Sequence, residues 1–177
     1  MPVIELVYET HATTTDNEAG IATGWLPGRL SAEGWEQARE LGRRRADDGI
    51  AAVFSSDLKR AVDTANIAFG ASGLELFLDW RLRECDYGEL NGAHVKRLDR
   101  AAHIATPFSG GESYRDVVIR TESFLADLRA RWDGTRVCIV AHSANRWALQ
   151  HLLEGTPLEQ LVDAPFEWRE GWEYRLP

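Results

Sequence analysis

The chain opens on an apolar run, Val3-Ile4-Glu5-Leu6-Val7-Tyr8, interrupted only by Glu5. A short run of this kind, rich in β-branched and aromatic residues, predicts a buried β-strand. Thr10-His11-Ala12-Thr13-Thr14-Thr15-Asp16-Asn17 follows, and its small polar residues take the chain out of the sheet. From Gly20 to Arg29 three glycines and a proline predict irregular structure. Ser31 is a good N-cap for a helix to about Asp48, with Trp35, Ala38, Leu41 and Arg45 on one stripe. Ile50 to Phe54 reads as a second strand, and Ser55-Ser56-Asp57 as the cap of a helix to about Phe69. Leu74 to Leu78 reads as a third strand, and residues 79–111 as irregular. Gly110-Gly111-Glu112-Ser113 opens a helix to about Trp132, with Val117, Phe124, Leu125, Leu128 and Trp132 as its apolar stripe. Arg136 to Ala141 is a buried strand, and Ser143 to Leu153 a helix. Phe166 to Leu176 is rich in Trp and Tyr; it predicts an edge strand whose aromatic rings cover the core. Strands alternate with helices throughout, so the fold class is α/β with a mostly parallel sheet.

Composition narrows the function more than the fold. With 177 residues, 44 % hydrophobic and 27 % charged, the chain suits one domain over 1–177 with a sizeable core. A net charge of -8 and the absence of any basic run argue against nucleic-acid and membrane-surface partners. No stretch approaches the ~20 apolar residues of a spanning helix. The first residues lack the basic-then-apolar pattern of a secretory leader. Cys85 and Cys138 have no metal or disulfide spacing, so a cytoplasmic protein is expected. His94, His103 and His151 show no ligand spacing, and no metal is expected.

Candidate chemistry gathers at three strand-to-helix junctions. In open parallel α/β sheets ligands bind at the C-terminal ends of the strands. His11 lies after the first strand, Arg60 in the first turn of the helix after the second, and His142 directly after Ala141. Two histidines, an arginine and a helix N-terminus suit a phosphate group. A neutral His can attack phosphorus, and a carboxyl such as that of Glu84 can protonate the leaving group. Taken singly each residue has a plainer reading: a turn histidine, a helix-surface arginine, and a glutamate in an exposed ion pair beside Arg81 and Arg83.

The motifs together resemble the histidine phosphatase superfamily, the phosphoglycerate mutase-like or acid phosphatase-like group. The family signature Arg-His-Gly-Glu/Ser-Thr-x-x-Asn aligns with Thr10 to Asn17 without a gap. Thr23-Gly24-Trp25 resembles a pocket-lining segment, and Leu30 to Gly34 the start of the family's first helix. Ser55 to Ala65 resembles the block whose Arg clamps phosphate, and Leu82 to Gly92 the block with the acid. Gly110-Gly111-Glu112-Ser113 resembles a substrate-side loop, and Ala141-His142-Ser143 carries the second His.

The resemblance covers residues 3 to about 153 and implies a three-layer α/β/α sandwich. It implies His11 as the phosphoryl-accepting nucleophile, Arg60 and His142 as holders of the phosphoryl oxygens, and Glu84 as proton donor. Thr10, Asn17, Thr23 and Tyr87 would be further pocket contacts. No cofactor is implied, and the partner would be a small phosphorylated substrate. The loop from Asn91 to Ser109 should line the outer pocket.

The chain departs from the family pattern at its first motif. The family Arg beside the nucleophile is Thr10, and the glycines after the two histidines are Ala12 and Ser143. Arg29, Lys59, Lys96, Arg97 and above all Arg146 are the cations able to replace the missing charge. A phosphomonoesterase working through phospho-His11 is the expected function. A phosphate-binding or protein-interaction module that has lost catalysis is the second reading, and a phosphoglycerate mutase-type transferase the third.

Overall fold

In β1 (Ile4–Thr10) the residues Ile4, Leu6 and Tyr8 face one side of the sheet, while Val7 faces the other. A strand buried on both faces needs apolar residues at nearly every position, as in a sheet covered by helices on both sides. The computed structural model describes residues 3–177. After β1 come α1 (Thr15–Ala19), β2 (Ile21–Ala22), α2 (Ala32–Arg45), β3 (Ala52–Ser55), α3 (Lys59–Phe69) and β4 (Leu76–Leu78). Then follow β5 (Ala93–His94), α4 (Tyr114–Arg131), β6 (Arg136–Ala141), α5 (Ser143–Glu154), α6 (Leu158–Leu161) and β7 (Trp172–Leu176). The five-stranded sheet has the order β4-β3-β6-β1-β7, parallel except for the antiparallel edge strand β7.

The sheet divides the core into two layers. Phe124, Leu125 and Leu128 of α4 and Leu149 of α5 pack with Leu6, Tyr8, Phe54 and Ile139 on one face. Leu41 of α2 and Ala65 and Phe69 of α3 pack with Val7, Val53, Cys138 and Val140 on the other. This is the expected three-layer sandwich. Each fully buried Leu or Phe contributes about 1.5–3 kcal/mol. Among the described residues no helix is long and apolar enough to cross a membrane.

Three local expectations differ. Trp35 does not join the inner stripe of α2: it is 46 % exposed, with Arg39 over its ring, and Gly34, Ala38 and Leu41 face inward. The cause is close packing. A Cβ on Gly34 would stand 2.0 Å from the Thr13 carbonyl oxygen, and one on Gly42 would stand 2.4 Å from that of Ala68. Ser55-Ser56-Asp57 does not cap α3, whose N-cap is Leu58 with no side-chain bond. Ser56 instead pairs with His142, and Asp57 forms a bidentate pair with Arg83, both N–O distances 2.7 Å. Of the C-terminal aromatics, Trp172 and Tyr174 are core, but Phe166 and Trp168 are each 55 % exposed.

Register sets the site. Thr10 lies beside Ala141, and Ser55 beside Val140. The amides of His11 and Ser56 continue the ladder by donating to the carbonyls of Ala141 (2.8 Å) and Val140 (3.1 Å). The three strands therefore end together, and His11, Ser56 and His142 leave the sheet side by side.

Candidate active site

His11 sits in a defined tautomer. Its Nδ1 lies 2.8 Å from the Ala12 carbonyl oxygen, which can only accept, so Nδ1 carries the proton. Nε2 is left with its lone pair, 3.4 Å from Nε of Arg60. Burial, and secondly the Arg60 charge, lower the His11 pKa to about 3. The ring is neutral at ordinary pH and is available as a nucleophile.

Arg60 is 2 % exposed, yet it faces the cavity. Its Nη1 donates to the carbonyl of Leu26 at 2.9 Å and Nη2 to that of Gly24 at 2.8 Å. Gly24 takes φ 55°, and a Cβ there would collide with Asn91 Oδ1 at 1.8 Å, so only glycine presents this carbonyl without strain. Thr64 ties the nucleophile loop to the same helix. Its hydroxyl accepts from the Ala12 amide at 3.0 Å and donates to the Arg60 carbonyl at 2.7 Å.

Glu84 is 9 % exposed and is not in the surface ion pair suggested by Arg81 and Arg83. Those arginines pair with Asp79 and Asp57. Burial raises the Glu84 pKa, opposed in part by the Cys85 amide, which donates to its Oε1 at 2.7 Å, and by the Arg60 and Arg120 charges. Its backbone is clamped. Trp25 Nε1 and Arg120 Nη2 donate to the Glu84 carbonyl at 2.7 and 2.9 Å, and Arg120 Nε holds Glu112 at 2.9 Å. The Gly110 to Ser113 segment therefore supports the acid loop and does not line the cavity, in contrast to its expected substrate-side place.

His142 lies behind the nucleophile. Its ring centroid is 5.1 Å from that of His11, and its Nε2 is 2.9 Å from Ser56 Oγ. It is fully buried and does not reach the cavity wall, where Ser143 stands instead. As N-cap of α5 it has extended backbone (φ -131°, ψ 173°), and Tyr8 donates its hydroxyl proton to the His142 carbonyl. Nδ1 of His142 has no partner. Burial first, then Arg60, push its pKa well below the usual imidazole range.

The cavity of about 620 Å³ brings Thr10, His11, Asn17, Thr23, Arg60, Glu84 and Tyr87 together. Asn17 spends its Oδ1 on the Thr14 amide at 2.9 Å, which leaves its amide nitrogen free to donate. Thr23 donates to Asp16 Oδ2 at 2.8 Å. Arg146 is absent from this group. Its side chain turns to the edge strand, where the guanidinium stacks on the Trp172 ring at 4.8 Å and Nη1 donates to Gln150 at 2.7 Å. The face-on contact with Trp172 draws it away from the cavity. Lys59 pairs with Asp63, while Arg29, Lys96 and Arg97 are exposed and off the wall. The second lining cation is Arg100, which the sequence reading missed along with the lining places of Trp147, Phe166 and Trp168 and the contact of Ser56 with His142. Val95, Leu98 and Arg100 do belong to the loop expected to form the outer wall.

A neutral imidazole, a buried guanidinium and a buried carboxyl stand together at the C-terminal edge of a parallel sheet, an arrangement chemically able to handle a phosphoryl group. A family model for the histidine phosphatase superfamily (branch 1) matches residues 10–167. The chain belongs to the histidine phosphatase superfamily. It is 33 % identical over 174 residues to a 2,3-bisphosphoglycerate-dependent phosphoglycerate mutase of Rhizobium rhizogenes, covering 89 % of this chain and 82 % of the mutase. It is 29 % identical over 168 residues to phosphoserine phosphatase 1 of Hydrogenobacter thermophilus, covering 89 % and 80 %. The solved structure of Bacillus stearothermophilus YhfR superposes with a TM-score of 0.84 at 28 % identity, covering 94 % of this chain and 88 % of that one.

Proposed function

We propose that this chain is a phosphomonoesterase that works through a phosphohistidine on His11. The observation that carries this reading is the state of the His11 ring: Nδ1 protonated against the Ala12 carbonyl, and the Nε2 lone pair turned to Arg60, whose Nε donates to it at 3.4 Å. Nε2 attacks phosphorus in line, the bond to the ester oxygen breaks, and the Arg60 guanidinium offsets charge on the equatorial oxygens. The Glu84 carboxyl, whose pKa burial raises, gives its proton to the departing alkoxide. The resulting carboxylate then takes a proton from water as that water attacks phospho-His11, which releases phosphate and restores the Glu84 proton.

Incubation with p-nitrophenyl phosphate, a quench in base and an intact-mass measurement test the reading. Phosphohistidine survives base, so the expected result is a mass gain of one phosphoryl group, absent in His11→Asn. Thr10, where the family has a cation, favours a second reading: a phosphate-binding module without turnover. Tight phosphate binding with neither adduct nor released phenol would select that module.

A further inference from the structure

The cavity holds a second guanidinium that the fold leaves unanswered. Arg100 lines the wall, and its Nε is buried with no hydrogen-bond partner. Arg45, Arg83, Arg120 and Arg136 each have a carboxylate, Arg60 is held by two carbonyls, and Arg146, whose Nε also lacks a partner, lies on Trp172 away from the cavity. The other cavity carboxylates, Glu18 and Asp163, form no ion pair with Arg100. A partly desolvated cation without a counter-charge costs stability unless a ligand anion completes it. Arg100 reaches the cavity from the loop after β5, with Val95 and Leu98, whereas His11 and Arg60 reach it from the strand-end junctions of β1 and β3. Arg100 is therefore assigned to the leaving-group end.

Several large apolar residues share this wall. Val95, Leu98, Trp147, Val162, Phe166 and Trp168 line the same cavity as Tyr87 and Arg100, with Asp163 among them. Large rings left exposed beside a concave site are a recognition surface for an apolar body. We propose that the leaving alcohol is an apolar or aromatic acid. Its carbon skeleton would lie against Trp147, Phe166 and Trp168, and its second anionic group, a carboxylate or a further phosphate, would pair with Arg100. Arg100 is then a specificity-determining residue, and its bidentate fork favours a planar carboxylate.

This proposal rests on the phosphatase reading, so the test separates the two. Hydrolysis of 4-carboxyphenyl phosphate is compared with that of phenyl phosphate, and 3-phosphoglycerate and phosphoserine serve as polar acids. In the wild type the carboxylated aryl ester should exceed its parent in kcat/KM by about tenfold to a hundredfold. It should also exceed the polar acids by about tenfold or more. Arg100→Met should bring the aryl ratio close to one through KM, and Arg100→Lys should keep part of it. A second pair, 4-phosphonooxybutanoate against butyl phosphate, and a bisphosphorylated aryl compound tell a carboxylate preference from a phosphate preference. A wild-type aryl ratio near one, an Arg100→Met loss equal for both members, or 3-phosphoglycerate turning over as well as the aryl acid would overturn the assignment. Should no ester be hydrolysed, the phosphatase reading fails, and calorimetric titration of 4-carboxybenzylphosphonate against benzylphosphonate still judges Arg100. Binding at least tenfold tighter for the carboxylated ligand supports it, and equal affinity removes it.

Discussion

The two ends of the cavity are built on opposite plans. At the inner end the groups assigned to the chemistry are each held in place: Arg60 by two carbonyls, Glu84 by the Cys85 amide, and His11 by the Ala12 carbonyl. At the outer end Arg100 has an orphan Nε, and Phe166 and Trp168 stand open to solvent. Preorganised groups suit a fixed chemical step, since they need no rearrangement as charge develops. Unpaired groups suit recognition of a variable leaving group, since their satisfaction comes from the ligand. Substitutions at the inner end should therefore alter turnover on all esters, and substitutions at the outer end should reorder esters among themselves.

The largest effect should come from His11→Asn. It removes the attacking lone pair and should lower kcat by at least about 10³-fold on every substrate, with no mass adduct after a base quench. Asn keeps a side-chain donor toward the Ala12 carbonyl, so the melting temperature checks that the loss is chemical. Glu84→Gln comes next and sharpens the contrast. On alkyl esters, whose alkoxides need a proton, kcat should fall by about 10²–10⁴-fold. On p-nitrophenyl phosphate the fall should be much smaller, because that leaving group departs without help. Equal losses on both ester types would contradict Glu84 as the acid.

Thr10→Arg asks whether the inner end is complete. Thr10 lines the cavity at the end of β1, beside Ala141. A guanidinium added there should raise kcat/KM on simple esters by about tenfold or more. It should do so without changing the ratio between carboxylated and parent aryl esters. A change in that ratio would mean that the two ends share one charge balance.

The same division explains what the sequence revealed. The inner end was legible because strand ends locate it: apolar runs before His11 and His142, and a short run before Ser55, bring three junctions to one edge regardless of distant packing. The sandwich was legible for the same reason. Trp35 was misread because the inner stripe of α2 is set by Gly34 and Gly42, whose absent side chains let neighbouring backbones approach, and periodicity counts only apolar mass. Arg146 was misread because spacing gives the face of a helix but not the pull of Trp172 on the edge strand. Arg100 and the two exposed rings could not be found by pattern. They lie in irregular segments, and only the folded loops bring residues 95–100 and 162–168 to one wall. An arginine in a glycine-poor loop between two short apolar positions, Leu98 and Ile104, was the one available signal.

The remaining effect is a pH slope, and it concerns stability and not turnover. His11 is neutral in the folded state down to about pH 3, whereas an unfolded imidazole protonates near its ordinary value of 6.5. Below that value the unfolded chain binds the extra proton, so its share of stability is present above pH ~6.5 and is lost as pH falls toward 3. Within the window the slope is roughly 1.4 kcal/mol per pH unit for one such histidine. His142 is displaced in the same direction by burial and by Arg60 and adds to it. Melting curves from pH 7.5 down to 4.5 should therefore fall more steeply for the wild type than for His11→Asn, with the difference opening only below about pH 6.5. Inorganic phosphate should narrow the gap, since an anion beside Arg60 weakens the second cause of the displacement. Parallel curves for the two proteins would mean that the His11 ring is solvated or charged at rest, and the tautomer on which the nucleophile assignment stands would go with it.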